Sequence, residues 1–195
     1  MTGHTVLVPL LSGFEEIEAV TIIDVLRRAE VPVLIAGAEV GPVEGSHGIA
    51  VRADVALRDV KAKELVMIAL PGGMPGSKHL AENADVTRLL REVQAGGGYT
   101  CAICAAPMAL AAAGAHQGHF VTSYPGFASY LKGAEYVEDR VVVDRRVVTS
   151  RGPGTALEFA LTLVGLLRTA EVERQLQERM LVSRPTPARR AHART

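Results

Sequence analysis

Short, almost unbroken apolar runs alternate along this chain with helically patterned segments, and that alternation restricts the fold more than any other feature. Residues 5–11, 31–37, 64–70 and 99–103 are runs of this kind. A strand that is apolar on both faces must be covered on both faces, which is the situation of a parallel sheet between helices. The intervening segments supply those helices. Ser12-Gly-Phe-Glu15 has capping-box spacing and opens a helix predicted to reach about Ala29. Residues 85–95 read as a helix closed by three glycines, and the alanine-rich residues 107–113 as another. Ser150-Arg-Gly-Pro-Gly-Thr155 launches an apolar helix to about Arg168, with Thr155 read as its N-cap, and a last helix follows from Glu171 to about Val182. Residues 43–57 have the alternation of a hairpin or edge excursion, and two short strands are predicted at 140–143 and 147–150.

The fold class is therefore α/β, a doubly wound and mostly parallel sheet sandwiched by helices. A chain of 195 residues suits one domain, since roughly 100 to 200 residues per domain is usual. That domain is expected over 1–182. Residues 183–195 form a basic tail, with four Arg, two Pro and no acid after Val182, predicted to be disordered.

The 21 basic and 21 acidic residues cancel, and aromatics make up only 4% of the chain. Such a chain has neither the field to hold phosphates nor the stacking platforms for bases, which argues against nucleic acid as a partner. The apolar start carries no Lys or Arg and is broken by Glu15 and Glu16, and no run reaches 18 apolar residues. The expectation is a cytoplasmic protein without a signal peptide or membrane span.

In a doubly wound sheet the site lies beyond the carboxyl ends of the strands. Three junctions meet there: residues 11–18, Leu70-Pro-Gly-Gly73 and Ile103-Cys-Ala-Ala-Pro107. Cys104 sits where a buried strand turns into a helix, between the small residues Ala102 and Ala106. This has the logic of a nucleophile elbow, with the following helix N-terminus expected to favour a thiolate. Cys101 completes a CxxC spacing, but it lies inside an apolar strand, and an offset of three is expected to place the two thiols on opposite faces. Cys101 is read as core. Glu15, Glu16 and Glu18 crowd the first helical turns, where acids complement the dipole. Periodicity does not decide which of them faces the sheet edge. Glycines after Leu70 let backbone amides approach an oxyanion. The six histidines form no ligand-spaced cluster, and no cofactor motif is present, so neither metal nor cofactor is expected.

Residues 5–182 resemble the ThiJ/PfpI superfamily, in the branch of the parkinsonism-associated protein deglycase and the bacterial YajL-like proteins. The markers are Gly13-Phe-Glu-Glu-Ile-Glu18, Asp24-Val-Leu-Arg-Arg28, Leu70-Pro-Gly-Gly73, Ala102-Ile-Cys-Ala-Ala-Pro107 and Thr149-Ser-Arg-Gly-Pro-Gly-Thr155. The resemblance implies a flavodoxin-like homodimer with Cys104 as reactive thiol and Glu18 as the acid bonded to it. By the same likeness the amides of Gly73 and Ala105 form an oxyanion pocket. The implied activity is cofactor-free attack on methylglyoxal-type aldehydes and early glycation adducts, alongside oxidation sensing and chaperone-like protection. Tyr124 stands where human-type members carry a His, and His47 where many relatives carry an Arg. Ala105 after Cys104 lacks the catalytic His of the peptidase branch. No His lies within 151–182, which excludes the glutamine amidotransferase pattern.

Overall fold

A computed structural model describes residues 4–182 and the backbone of Arg189 and Arg190. The apolar runs become the central strands β1 (Thr5–Pro9), β2 (Val33–Gly37), β6 (Leu65–Leu70) and β7 (Tyr99–Ile103). The hairpin expected at 43–57 divides into three strands. β3 (Gly41–Glu44) and β4 (Ala50–Ala53) pair antiparallel as a separate ribbon, while β5 (Val55–Ala56) joins β2 in parallel at the edge of the main sheet. A small parallel pair, β8 (Phe120–Val121) and β9 (Glu135–Tyr136), stands beside the main sheet. β10 (Val141–Asp144) and β11 (Val147–Ser150) make the antiparallel hairpin on the other flank. The tail expected from 183 lies outside the described residues except for β12 (Arg189–Arg190), whose backbone pairs in parallel with β10.

The main sheet has eight strands in the order β12-β10-β11-β7-β6-β1-β2-β5, parallel throughout except between β10 and β11. From β1 the chain winds outward through β2, then returns to place β6 on β1's other side. The order therefore reverses between β1 and β6, and the carboxyl ends of these strands are where ligands bind in sheets of this kind.

Alternate side chains of each strand divide into two cores. Val6, Val8, Met67, Ala69, Cys101 and Ile103 face one layer, with Ile22 and Leu26 of α1 (Glu16–Arg28) and Phe159 and Leu163 of α5 (Ala156–Leu167). Leu7, Ile68, Leu70 and Ala102 face the other, with Leu89 and Leu90 of α3 (Ala84–Ala95) and Leu110 of α4 (Pro107–Ala113). Burying a side chain of this size contributes roughly 1.5–3 kcal/mol. α6 (Ala170–Arg179) packs on α5. A short helix, α2 (Gly76–Glu82), lies against α4, and the sequence pattern did not predict it. It starts Gly-Ser-Lys-His after two prolines in the preceding residues, which reads as turn chemistry.

Two caps differ from expectation. α1 opens at Glu15, not Ser12: the Glu15 carboxylate accepts the Glu18 N–H at 2.7 Å. Thr155 stands at the N-cap position of α5, but its hydroxyl accepts from Gly152 N–H instead of capping the helix. No helix among the described residues is long and apolar enough to cross a membrane.

Candidate active site

β7 ends at Ile103, and Cys104 follows with φ of +64°, a left-handed conformation rare outside glycine. Holding it costs about 1–3 kcal/mol and marks a turn fixed by its surroundings. Here Cys104 N–H donates to Ser150 O at 3.0 Å, and Cys104 O accepts Tyr124 N–H at 2.8 Å. Ala102 and Ala106, both fully buried, leave the turn room to tighten. The same bend corrects one expectation. Strand alternation would send Cys101 and Cys104 to opposite faces, yet both belong to the α1-side core, because β7 ends at Ile103 and Cys104 itself stands at positive φ outside the strand.

The first turn of α1 brings Glu18 to this point. Its side chain is fully buried, Oε2 accepts Gly72 N–H at 2.7 Å, Oε1 has no hydrogen-bond partner among the described residues, and the carboxyl acts electrostatically on the Cys104 thiol. Glu15 and Glu16, its neighbours on the same turn, go elsewhere. Glu15 caps the helix, and Glu16 holds the β3–β4 turn by accepting from the N–H groups of His47 and Ile49.

Two consecutive glycines after β6 complete the arrangement, each for its own reason. A Cβ at Gly72 would lie 2.6 Å from Cys104 Cβ and 2.7 Å from Glu18 Oε2, so no side chain fits. Gly73 has φ of +93°, which turns its amide toward the cysteine. The groups that act on the Cys104 sulfur are the Glu18 carboxyl and the amides of Gly73 and Ala105. Residue patterning named Cys104, the family likeness added Glu18, Gly73 and Ala105, and the fold brings all four together. Sequence reasoning missed Gly72, whose signal was the doubled glycine itself.

Electrostatics differ from the sequence expectation. Burial, and then the negative charge of Glu18, push the Cys104 thiol up to about 12, against the pull of the Gly73 and Ala105 amides. The seven-residue α4 and these amides do not outweigh removal from water. Burial also pushes the Glu18 carboxyl up to about 7, with the Glu15 charge adding to the rise and the Gly72 amide opposing it. Near neutrality the thiol keeps its proton and Glu18 stands poised between its two forms. Tyr124, half exposed, reaches the cysteine through its backbone amide and places no imidazole there.

A cysteine on a strained strand-to-helix turn, paired with a buried carboxyl at the switch point of a parallel sheet, defines a flavodoxin-like thiol–carboxyl protein. Residues 4–166 match the DJ-1/PfpI family model, and the chain belongs to that family. It is 40% identical over 184 residues to protein dj-1beta of Drosophila melanogaster, spanning 93% of this chain and 98% of that protein. The crystal structure of Drosophila melanogaster DJ-1beta matches with a TM-score of 0.90 at 39% identity, covering 93% of this chain and 100% of that one. A glutathione-independent glyoxalase of Caenorhabditis elegans, DJR-1.2, is 42% identical over 158 residues, 80% of this chain and 84% of its own.

Proposed function

We propose that this protein is a cofactor-independent, cysteine-dependent glyoxalase and deglycase, acting on methylglyoxal and early glycation adducts. The observation that carries the reading is the convergence on the Cys104 sulfur of two backbone N–H donors and one carboxyl held near 7. A likeness to a relative named as a glutathione-independent glyoxalase supports it.

In the first step the Cys104 sulfur forms a C–S bond to the aldehyde carbon. The thiol proton passes to the Glu18 carboxylate, and the C=O electron pair moves onto oxygen, where the Gly73 and Ala105 amides stabilise it. Glu18 returns its proton to that oxygen, giving a hemithioacetal. It then takes the proton from the former aldehyde carbon and delivers it to the neighbouring carbon, while the hemithioacetal hydroxyl proton passes, again by way of Glu18, to the neighbouring oxygen, leaving a lactoyl thioester. Water hydrolyses the thioester to lactate and frees the thiol. An acid with its proton affinity near the working pH suits each of these transfers, and with Tyr124 in place of an imidazole they fall to Glu18 alone.

A second reading is a redox-sensing, chaperone-like stress protein whose cysteine does not turn over, favoured by the same amides, which would equally hold a cysteine sulfinate. A cytoplasmic location is proposed with either reading. The deciding experiment is lactate formation from methylglyoxal by wild type, Cys104→Ala and Glu18→Gln beside a free-thiol control. Turnover above that control, lost in Cys104→Ala, supports the enzyme; equal rates in all samples overturn it.

A further inference from the structure

We propose that Glu15, Glu16 and His47 bind a divalent transition-metal ion of the zinc class, at a site that uses neither Cys104 nor Glu18. One ligand atom from each of the three residues lies within 4.8 Å of the other two. His47 Nδ1 and Glu16 Oε2 stand 2.8 Å apart. Atoms that share a zinc ion at about 2.0–2.2 Å are separated by roughly 3–3.5 Å, so the Glu16–His47 pair widens by a few tenths of an ångström while Glu15 closes in from within 4.8 Å. The exposed His47 ring is free to move.

The carboxylates are oriented before any ion arrives. Glu16 Oε1 accepts the N–H groups of His47 and Ile49, which leaves Oε2 for the ion. Glu15 is held through Oε2, which accepts the Glu18 N–H. Backbone donors that fix one oxygen and aim the other are the outer support a metal-binding carboxylate requires. Charge points the same way. Both carboxyls are more than nine-tenths buried, and among the described residues neither has a Lys or Arg ion pair; His47 is the only cationic group beside them. Ser46 Oγ, 3.2 Å from Glu16 Oε2 and 3.1 Å from His47 Nδ1, borders the same point. Two carboxylates and one imidazole, with open positions for water, suit zinc and its first-row neighbours better than a thiol-seeking ion. Binding displaces the His47 Nδ1 proton and ties the β3–β4 turn to the first turn of α1.

The test is calorimetric titration of Zn2+ into the metal-free, untagged full chain, with Cys104→Ala, His47→Ala and Glu15→Gln in parallel. Circular dichroism confirms that each variant is folded. Wild type and Cys104→Ala are expected to bind one ion per chain with affinities within about twofold. His47→Ala and Glu15→Gln are expected to bind at least tenfold more weakly. Zinc is expected to raise the melting temperature of wild type and not of His47→Ala. Loss of binding in Cys104→Ala, unchanged binding in His47→Ala, or no wild-type binding below millimolar zinc each overturns the site. Because His47 is exposed, its replacement by alanine leaves the core intact, and the result stands apart from any outcome with methylglyoxal.

Discussion

Glu18 and Cys104 meet across the carboxyl edge of the sheet as an acid and a thiol that both hold their protons more tightly than in water. Burial drives each upward, to about 7 for the carboxyl and about 12 for the thiol, and the ionised carboxylate adds to the thiol's rise. The pair therefore loses its first proton near neutrality, and from Glu18. The chemistry proposed for the site follows from that order.

The pH dependence of kcat/KM for methylglyoxal is expected to rise as pH passes about 7, where Glu18 becomes free to accept the thiol proton. Glu18→Gln should remove that limb and lower the rate by about 10²–10⁴-fold. A rate profile over pH 5 to 9 on both proteins checks this, and an unchanged limb in Glu18→Gln would assign it to another group.

Stability should move the opposite way with pH. A carboxyl whose folded pKa is raised binds its proton more tightly in the native state, so its contribution is present below the unfolded value near 4.5 and is lost as pH rises through about 7. At pH 8 the buried charge costs about 3 kcal/mol. Glu18→Gln is therefore expected to be more stable than wild type at pH 8, with the difference vanishing near pH 4, as read by urea denaturation.

Gly72→Ala probes the close approach of the two elements. The added methyl would lie 2.6 Å from Cys104 Cβ, and the clash must displace either the turn or Glu18. The expected cost is about 1–3 kcal/mol, with loss of methylglyoxal turnover. Wild-type activity in a stable Gly72→Ala protein would show that the turn tolerates a wider site.

Graded peroxide should oxidise Cys104 before Cys101. Cys101 is wholly buried and its thiol is pushed well above its ordinary value by burial, whereas Cys104 is slightly exposed and has amide donors for an anionic product. A buried neutral thiol is also a poor partner for a sulfenic acid, so the expected end state is Cys104 sulfinate. Glu18→Asp, with its shorter reach, should yield less of it. Peptide mapping by mass spectrometry reads the outcome; a Cys101–Cys104 disulfide would contradict it.

Ile17 and Val20 project from α1 with 59% and 47% of their surface exposed, and Ile49, in the turn bound to α1, is 58% exposed. Apolar side chains left uncovered on a helix adjoining the site suit the homodimer implied by the family likeness. Light scattering at micromolar concentration should give twice the chain mass, and Ile17→Glu should shift it toward one.

The layered fold was legible because its signal is local: a strand buried on both faces is apolar at nearly every position, and residues 65–70 and, but for Thr100, 99–103 read that way without any partner in view. Cys104 was legible for a similar reason, since small alanines on either side of a cysteine at the end of such a strand mark a tight turn that presents the thiol. Periodicity on its own left Glu15, Glu16 and Glu18 undecided, as all three sit on one helical turn. Their division into cap, loop anchor and thiol partner depends on what stands opposite each: the Glu18 amide, the His47 turn and the Gly72–Cys104 corner, respectively. The protonation of Cys104 also lay beyond sequence reading, because burial depends on how α1, β6 and β7 close around the sulfur. Local pattern thus determined the elements and the cysteine's position at the turn; the family likeness pointed to Glu18, and long-range packing is what brings that carboxyl to the thiol and decides which proton leaves first.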